Sequence, residues 1–342
     1  MNMKKRKVVI CGGSGYVAGE LLSILLLHKF TDVVQVTSHS NPGKFISDIH
    51  PRLKSFTDIK FSENLKNLNQ YKNDNLTIFS IFPSDIVEDE INTIIKSAKT
   101  EHVNIQIIDL GSFFRPSIQH PLVNNEFVYG LSEINRTTIC SSTKIANPGC
   151  AATVIQLGLF PVLSKYNINN LCINFSSGAS SSGSEPIYGT HFPIRNENYR
   201  AFKVFTHQHE DEIVAFINDK TGVRLVPAII PHVGPWKRGM LASMCITTDK
   251  TVTTSEIKNI FTERYRGEPF VRFRDVSPEI RNVSGTNFID ISVYAKNKFI
   301  VILAAIDNLI KGGAGQAIQN YNLMNGFDET EGLWFPGGSS FN

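Results

Sequence analysis

No apolar run in this sequence approaches the ~18 residues that a membrane-spanning helix needs. The longest candidate, residues 21–27, is interrupted by Ser23 and stops at His28. An excess of one charge is missing as well. Against 34 Lys and Arg stand 31 Asp and Glu, and the resulting +3 gives no basis for a nucleic-acid or membrane partner. The five cysteines (Cys11, Cys140, Cys150, Cys172, Cys245) contain no C-x-x-C and no His/Cys ligand spacing. Neither a metal site nor a disulfide framework is therefore expected, and a reducing, cytoplasmic setting fits. The basic start, residues 4–7, runs straight into Val8, Val9 and Ile10 without the long apolar stretch or cleavage signal of a secretory leader. It reads as a solvated lead-in to a first strand. Internal repeats and low-complexity tracts are also absent.

What is present is a chain of 342 residues, 42% hydrophobic, long enough for two domains of about 150 residues each. Such a length buries a core without staples. Residues 8–11, 33–38, 76–82 and 105–110 read as strands, and residues 16–28 and 85–98 as helices. Alternation of this kind predicts a parallel, doubly wound sheet. After Asn147-Pro148-Gly149 the pattern changes. A helix is expected over 151–164, then strands over 171–176, 223–230 and 239–247. Residues 287–295 and 299–306 flank Lys296-Asn297-Lys298 as a hairpin. A last helix is expected over 313–324.

Between the first strand and the first helix lies Gly12-Gly13-Ser14-Gly15-Tyr16-Val17. Glycines in that position let the backbone turn tightly and approach a pyrophosphate, whose charge sits on the helix N-terminus. An acidic residue that would hold ribose hydroxyls is lacking at the end of the second strand, where Ser38-His39-Ser40 leads to Lys44. Two hydroxyls and a cation there favour NADP over NAD.

Cys150 opens the helix that follows Asn147-Pro148-Gly149. Amides at a helix start stabilise a thiolate and can receive an oxyanion, so Cys150 is a candidate nucleophile; the bland alternative is a small packed residue. The other four cysteines read as core thiols. His207-Gln208-His209, with Glu210, Asp211 and Glu212 behind it, is a candidate acid–base segment, with the choice between the two imidazoles open. Arg195, Glu197 and Arg200 lie in a polar segment that suits either an anionic, amide-bearing substrate or a solvated loop.

Assembled in order, these motifs resemble the N-acetyl-gamma-glutamyl-phosphate reductase family, which is related to aspartate-semialdehyde dehydrogenase. The match runs from the Gly12 turn through Asp109-Leu110 with Phe114-Arg115, Tyr129-Gly130-Leu131 with Glu133, Asn147-Pro148-Gly149-Cys150, the His pair and Arg238-Gly239. It ends with Asp307-Asn308-Leu309 and the stretch from Gly326 to Gly332. The resemblance implies an α/β chain with a Rossmann-type doubly wound sheet plus an α+β catalytic and dimerisation domain with a mainly antiparallel sheet. It places residues 1–148 and 313–342 in the NADP-binding domain and 149–312 in the catalytic domain. It implies Cys150 as nucleophile, His207 or His209 as acid/base with His207 slightly favoured, and Glu212 as orienter. Gly12, Gly13, Ser14, Gly15, Tyr16, Val17, Ser38, Ser40, Lys44 and Pro83 would meet the cofactor. Arg115, Asn147, Ser177, Gly178, Arg195, Glu197, Arg200 and Arg238 would meet the substrate.

The implied reaction is NADPH-dependent reductive dephosphorylation of N-acetyl-gamma-glutamyl phosphate to the semialdehyde through a Cys150 thioester, in arginine biosynthesis. A homo-oligomer, dimer or tetramer, is expected. The chain departs from the family pattern at Cys150-Ala151-Ala152-Thr153, at Ser181-Ser182-Gly183-Ser184, at His39 and at Phe82-Pro83-Ser84. These changes keep open the same chemistry on an N-succinyl-glutamyl or carrier-linked aminoadipyl phosphate. A non-catalytic NADP-binding sensor is a further, remoter alternative.

Overall fold

The computed structural model describes residues 5–65, 67–72, 74–117 and 127–337. Two compact units divide the chain. One comprises Met1–Arg115, Asn124–Pro148 and Ala314–Trp334; the other comprises Pro116–Val123, Gly149–Gly313 and Phe335–Asn342. The ends of the expected intervals, 1–4 and 338–342, lie outside the described residues. Phe335 to Gly337 belong to the second unit and not, as the expected interval had it, to the first. Packing explains this: a Cβ on Gly337 would stand 2.8 Å from the carbonyl oxygen of Ser284.

In the first unit, strands β1 (Arg6–Cys11), β2 (Thr31–Val36), β3 (Leu76–Ser80), β4 (Ile105–Asp109), β5 (Val128–Tyr129) and β6 (Lys144–Ala146) form one sheet. Its order is β2-β1-β3-β4-β6-β5, and every pairing is parallel. The central strand β3 is buried along its whole length, as a parallel strand covered on both faces must be. Helices Tyr16–Leu25 and Val87–Glu101 supply the crossovers around β1 and β3. The late helix Gly315–Met324 also belongs to this unit. Its Gln316 and Asn320 amides donate to the carbonyl of Gly130 at 3.0 and 2.8 Å.

The second unit is built on a seven-stranded sheet. Its strands are β7 (Ile168–Ser177), β8 (Arg200–Ala201), β9 (Ala228–Val233), β10 (Met240–Thr248), β11 (Val271–Phe273), β12 (Ile289–Lys296) and β13 (Phe299–Ile306). The order β11-β12-β13-β10-β7-β9-β8 contains antiparallel pairs throughout except β11/β12 and β7/β9, which are parallel. Burial alternates along β10, with Met240, Ala242, Met244 and Ile246 inward. The Cys150–Leu163 helix covers that inward face so closely that a Cβ on Gly158 would stand 2.4 Å from the Met244 methyl. The opposite face, with Leu241, Ser243 and Cys245, is only partly buried or open.

Two expectations are corrected here. The strand expected over 223–230 begins only at Ala228, because Val223 and Val226 are exposed and do not join the core. The core assignment of four cysteines holds for Cys11 but not for Cys140 and Cys245, which are exposed, nor fully for Cys172, which is half-buried. Cys245 takes an outward position in the alternation of β10.

Candidate active site

Parallel strands bind ligands beyond their C-terminal ends, at the point where strand order reverses. In the first sheet that point lies between β1 and β3, and the glycine turn is built there. Gly12 has φ +86°, and a Cβ on it would meet the carbonyl oxygen of Ile81 at 2.5 Å. A Cβ on Gly13 would meet Val36 Cγ1 at 2.2 Å, whereas Gly15 has nothing within 4 Å of its missing side chain. The turn is thus pressed against the sheet on one side and open on the other. Gly15 caps the helix without a side-chain bond, and no acid lies in the first turn, which Tyr16 and Val17 begin. A pyrophosphate fits such a cradle: close backbone approach, the positive end of a helix, no competing carboxylate.

Beyond β2, Ser38 is buried and its hydroxyl lies 3.4 Å from that of Ser40. Asn41 donates to the Ser40 hydroxyl at 3.0 Å, and the Lys44 ammonium donates to Asn41 at 3.0 Å. The loop is a hydroxyl–amide–ammonium chain. Pro83 begins the turn after β3, where its carbonyl accepts from Val87. Beside it Ser84 and Ser112 share a 2.8 Å bond.

Arg115 and Asn147 lie in the first unit with their polar groups engaged. The Arg115 guanidinium donates to the carbonyls of Asn147 (2.8 Å) and Leu110 (2.7 Å). The Asn147 side chain accepts from Asn320 at 3.1 Å. Arg115 therefore ties the end of β4 to the segment that leads into Cys150. Asp109, at the end of β4, is fully buried and accepts from the Ser80 hydroxyl at 2.7 Å. Burial pushes its carboxyl up to about 6 against the opposing pull of Ser80 and Arg115.

In the second unit, Cys150 is the first residue of its helix. Two contacts fix it. The amide of Gly149 donates to the buried Glu212 carboxylate at 3.0 Å. Across from this, Gly312 lies so near that a Cβ there would stand 2.6 Å from Cys150 Cβ. Gly312 sits in a π-helical turn, Ile310–Ala314, that the buried Asp307 holds. The Asp307 carboxylate accepts from the amides of Leu309 (2.8 Å) and Ile310 (3.0 Å), and its carbonyl accepts from Gly312 (2.9 Å). Arg238 pairs with the same carboxylate. Lys311, in this turn, is fully buried with its ammonium over the Phe270 ring.

His209 caps the Glu210–Thr221 helix, is buried, and lies one turn before Glu212. His207 packs edge-on against Phe175 and Phe202. Its Nδ1 accepts from the His209 amide at 3.2 Å, so the neutral ring carries its proton on Nε2. Burial first, then Lys203, lowers its pKa to about 4. The Ser177 carbonyl accepts from Gly234. A Cβ on Gly178 would meet the Arg238 amide nitrogen at 2.7 Å. Arg195 is buried, whereas Glu197 (φ +53°) and Arg200 are exposed. The sequence marked Asp109 as a landmark without giving it a role and passed over Lys311 and Gly312, for which only Gly312-Gly313, an unusual pair opening a helix, was a readable signal.

With this geometry in view, comparison with known proteins is decisive. The semialdehyde dehydrogenase NAD binding domain profile matches residues 7–142, and the semialdehyde dehydrogenase dimerisation domain profile matches residues 150–308. The N-acetyl-gamma-glutamyl-phosphate reductase of Methanocella arvoryzae is 36% identical over 97% of this chain and 98% of its own. That of Clostridium botulinum is 34% identical over 96% and 97%. The chain belongs to the N-acetyl-gamma-glutamyl-phosphate reductase family. Solved structures share the fold at low identity. Aspartate semialdehyde dehydrogenase II of Vibrio cholerae, complexed with ASA, superposes with a TM-score of 0.70 at 14% identity, covering 94% of this chain and 98% of that one. The enzyme of Candida albicans, solved with NADP, gives 0.65 at 13%, covering 94% and 99%. Membership makes the chain an oxidoreductase with a nicotinamide-dinucleotide-binding domain.

Proposed function

We propose that this chain reduces N-acetyl-gamma-glutamyl phosphate to N-acetylglutamate 5-semialdehyde in arginine biosynthesis, with NADPH as reductant. The observation that carries the proposal is the fixed helix-start thiol. Cys150 stands where backbone amides favour the thiolate, with Glu212 on one side and Gly312 on the other. In the proposed sequence the Cys150 thiolate attacks the acyl carbonyl carbon and the C–O bond to phosphate breaks. Phosphate leaves with the bonding pair, and a thioester remains on the enzyme. When bound, the dinucleotide supplies the hydride that reduces this thioester. The oxyanion formed on the thioester carbon, facing the histidine N–H donor, re-forms its carbonyl as the C–S bond breaks, and the aldehyde departs as the thiolate is restored.

The histidine pair handles the proton and the oxyanion. His207 offers a neutral Nε2–H donor, since its Nδ1 is occupied by the His209 amide. Glu212 orients the Cys150 and His209 helix starts together. The glycine turn and Tyr16–Val17 would hold the pyrophosphate, Ser38, Ser40 and Lys44 the 2′-phosphate, and Pro83 the neighbouring edge of the cofactor. Ser177, Gly178, Arg195, Glu197 and Arg200 would line the substrate side. Arg238 would act by holding backbone in the second unit, and Arg115 and Asn147 by holding backbone in the first. The dinucleotide-binding domain is assigned to the first compact unit and catalysis to the second.

We further propose a homo-oligomer in which a second copy covers the open face of the second sheet. The match to a dimerisation domain over residues 150–308 and the partly buried Leu241, Val301 and Leu303 on that face support this. Among the described residues no helix is long and apolar enough to cross a membrane, and a cytoplasmic setting is proposed.

In the reverse direction, NADP reduction should require N-acetylglutamate semialdehyde together with phosphate or arsenate. Cys150→Ala should abolish turnover and leave NADP binding, read by fluorescence titration, intact. Full turnover in that variant would overturn the thioester route. N-succinyl and carrier-linked substrates run beside it identify the acyl group.

A further inference from the structure

The four arginines expected at the substrate occupy four different electrostatic situations. Arg115 is committed to two backbone carbonyls, and Arg238 to the buried Asp307 carboxylate. Arg200 projects from the edge strand β8 and is exposed. Arg195 differs from all three. It is 7% exposed, its Nη2 reaches the Ser177 carbonyl only at 3.4 Å, and its Nε has no hydrogen-bond partner. No carboxylate pairs with it among the described residues. The charge that acts on it is another cation, Arg200.

A guanidinium stays protonated in proteins, so it cannot escape burial by losing its charge. Buried charges are as a rule paired or bound to an ion, because desolvation otherwise costs too much. A buried guanidinium with an unused donor and no acid thus points to an anionic ligand. Its neighbours fit that purpose: a second guanidinium nearby adds attraction for an anion and none for a cation.

Sheet register locates this group relative to the thiol. Ile306, Met240, Ser177, Val233 and Arg200 stand side by side across β13, β10, β7, β9 and β8. At one end of this row, Ile306 lies 3.2 Å from the Cβ position of Gly312, the residue pressed against Cys150. Two strands along, Arg195 bonds the carbonyl of Ser177. Adjacent strands are about 4.8 Å apart, so this separation is on the order of 10 Å. The phosphate must leave from the carbon that Cys150 attacks and so lies next to the thiol. The other anionic group of a glutamyl substrate, its α-carboxylate, is separated from that carbon by three further carbons.

We infer that Arg195 receives the α-carboxylate of the substrate and is a specificity-determining residue for substrates that carry it. The inference rests on the proposed reductase activity and adds which anion goes where. Phosphate is bound at the Cys150 helix start, and the carboxylate at Arg195.

Two aldehydes test it in the reverse direction: N-acetylglutamate semialdehyde and 4-acetamidobutanal, which lacks the carboxylate. Wild type should prefer the first on the order of a hundredfold or more in kcat/KM, as expected where a charged group finds its built partner. Arg195→Met should erase that preference by raising KM for the first aldehyde, and leave the KM of phosphate and the rate with the second aldehyde within about twofold. Arg195→Lys should fall between. A raised KM for phosphate, or an equal loss with both aldehydes, would overturn the assignment. Calorimetric binding of N-acetylglutamate to wild type and to Arg195→Lys tests the anion site without turnover. Tighter binding to wild type supports the site; equal binding overturns it. Should wild type reduce NADP with neither aldehyde, the activity reading fails, and this binding measurement still decides the arginine.

Discussion

Gly312 and Cys150 are in contact through a space that admits no side chain: a Cβ on Gly312 would lie 2.6 Å from Cys150 Cβ and 3.0 Å from its Cα. Both neighbours of that missing Cβ are rigid, one the start of a buried helix and the other a turn held by Asp307. Gly312→Ala should therefore displace the thiol. The expected cost is about 1–3 kcal/mol of stability, typical of overpacking in a well-filled site. A disproportionate drop in the rate of Cys150 alkylation by iodoacetamide should accompany it. A variant that melts lower but alkylates at the wild-type rate would show that Gly312 supports the fold without positioning the nucleophile.

The bond from the Gly149 amide to Glu212 joins two helix starts that lie 63 residues apart in the sequence. A charge-assisted bond of this kind is about 1.5–3 kcal/mol net, and its loss leaves a buried amide unsatisfied. Glu212→Ala should lower unfolding free energy by about that amount, whereas Glu212→Gln, which keeps an acceptor oxygen, should recover most of it. Denaturant unfolding reads the stability. The ratio of kcat in the two variants separates the hydrogen bond from the charge, because only Gln retains the geometry without the carboxylate.

Asp109 makes stability depend on pH in a direction opposite to a salt-bridged acid. Its folded pKa, about 6, lies above the 3.8 of an ordinary aspartate carboxyl. Between those values the folded chain binds more protons than the unfolded one, so the favourable contribution is present below pH 3.8 and is lost as pH rises through 6. Two units correspond to about 3 kcal/mol at most. The groups facing this carboxyl are the Ser80 hydroxyl, the Gly111 amide and the Arg115 guanidinium. Asp109→Asn keeps the acceptor for Ser80 and removes the charge. Relative to wild type, it should gain stability on going from pH 4.5 to pH 7.5, by about 2 kcal/mol in urea unfolding. A difference that stays flat with pH would mean that Asp109 ionises normally in the folded chain.

Local grammar made part of this protein legible and long-range pairing hid the rest. The turn after β1 could be read because its glycines, its flanking strand and its helix are contiguous, and the parallel fold followed from alternation. The start of β9 was misplaced because Val223 and Val226 are apolar in sequence yet exposed in the fold. Cys245 was readable in principle, since Met244 and Ile246 on either side point inward and period two turns it out. The arginines were not. Arg238 meets an acid 69 residues away, and Arg115 meets backbone carbonyls, which have no sequence signature. What distinguishes Arg195 is that no carboxylate among the described residues pairs with it, and a lack of that kind becomes visible only once the surroundings have been assembled.

The open face of the second sheet yields the last prediction. β10 is its middle strand, and Cys245 projects from the middle of β10 on the side away from the core. It stands directly opposite Cys172 on β7. A charge placed there costs nothing in the inward core, whose contacts are made by Met244 and Ile246. It would have to be desolvated if a second copy docks face to face, which is expensive without a partner charge. Cys245→Arg should therefore leave the circular dichroism spectrum unchanged and convert the oligomer to a smaller species in light scattering. An unchanged mass at micromolar concentration would place the subunit contact elsewhere on the molecule. Cys245→Ser, matched in size and uncharged, should keep the wild-type mass, which separates the effect of charge from loss of the thiol.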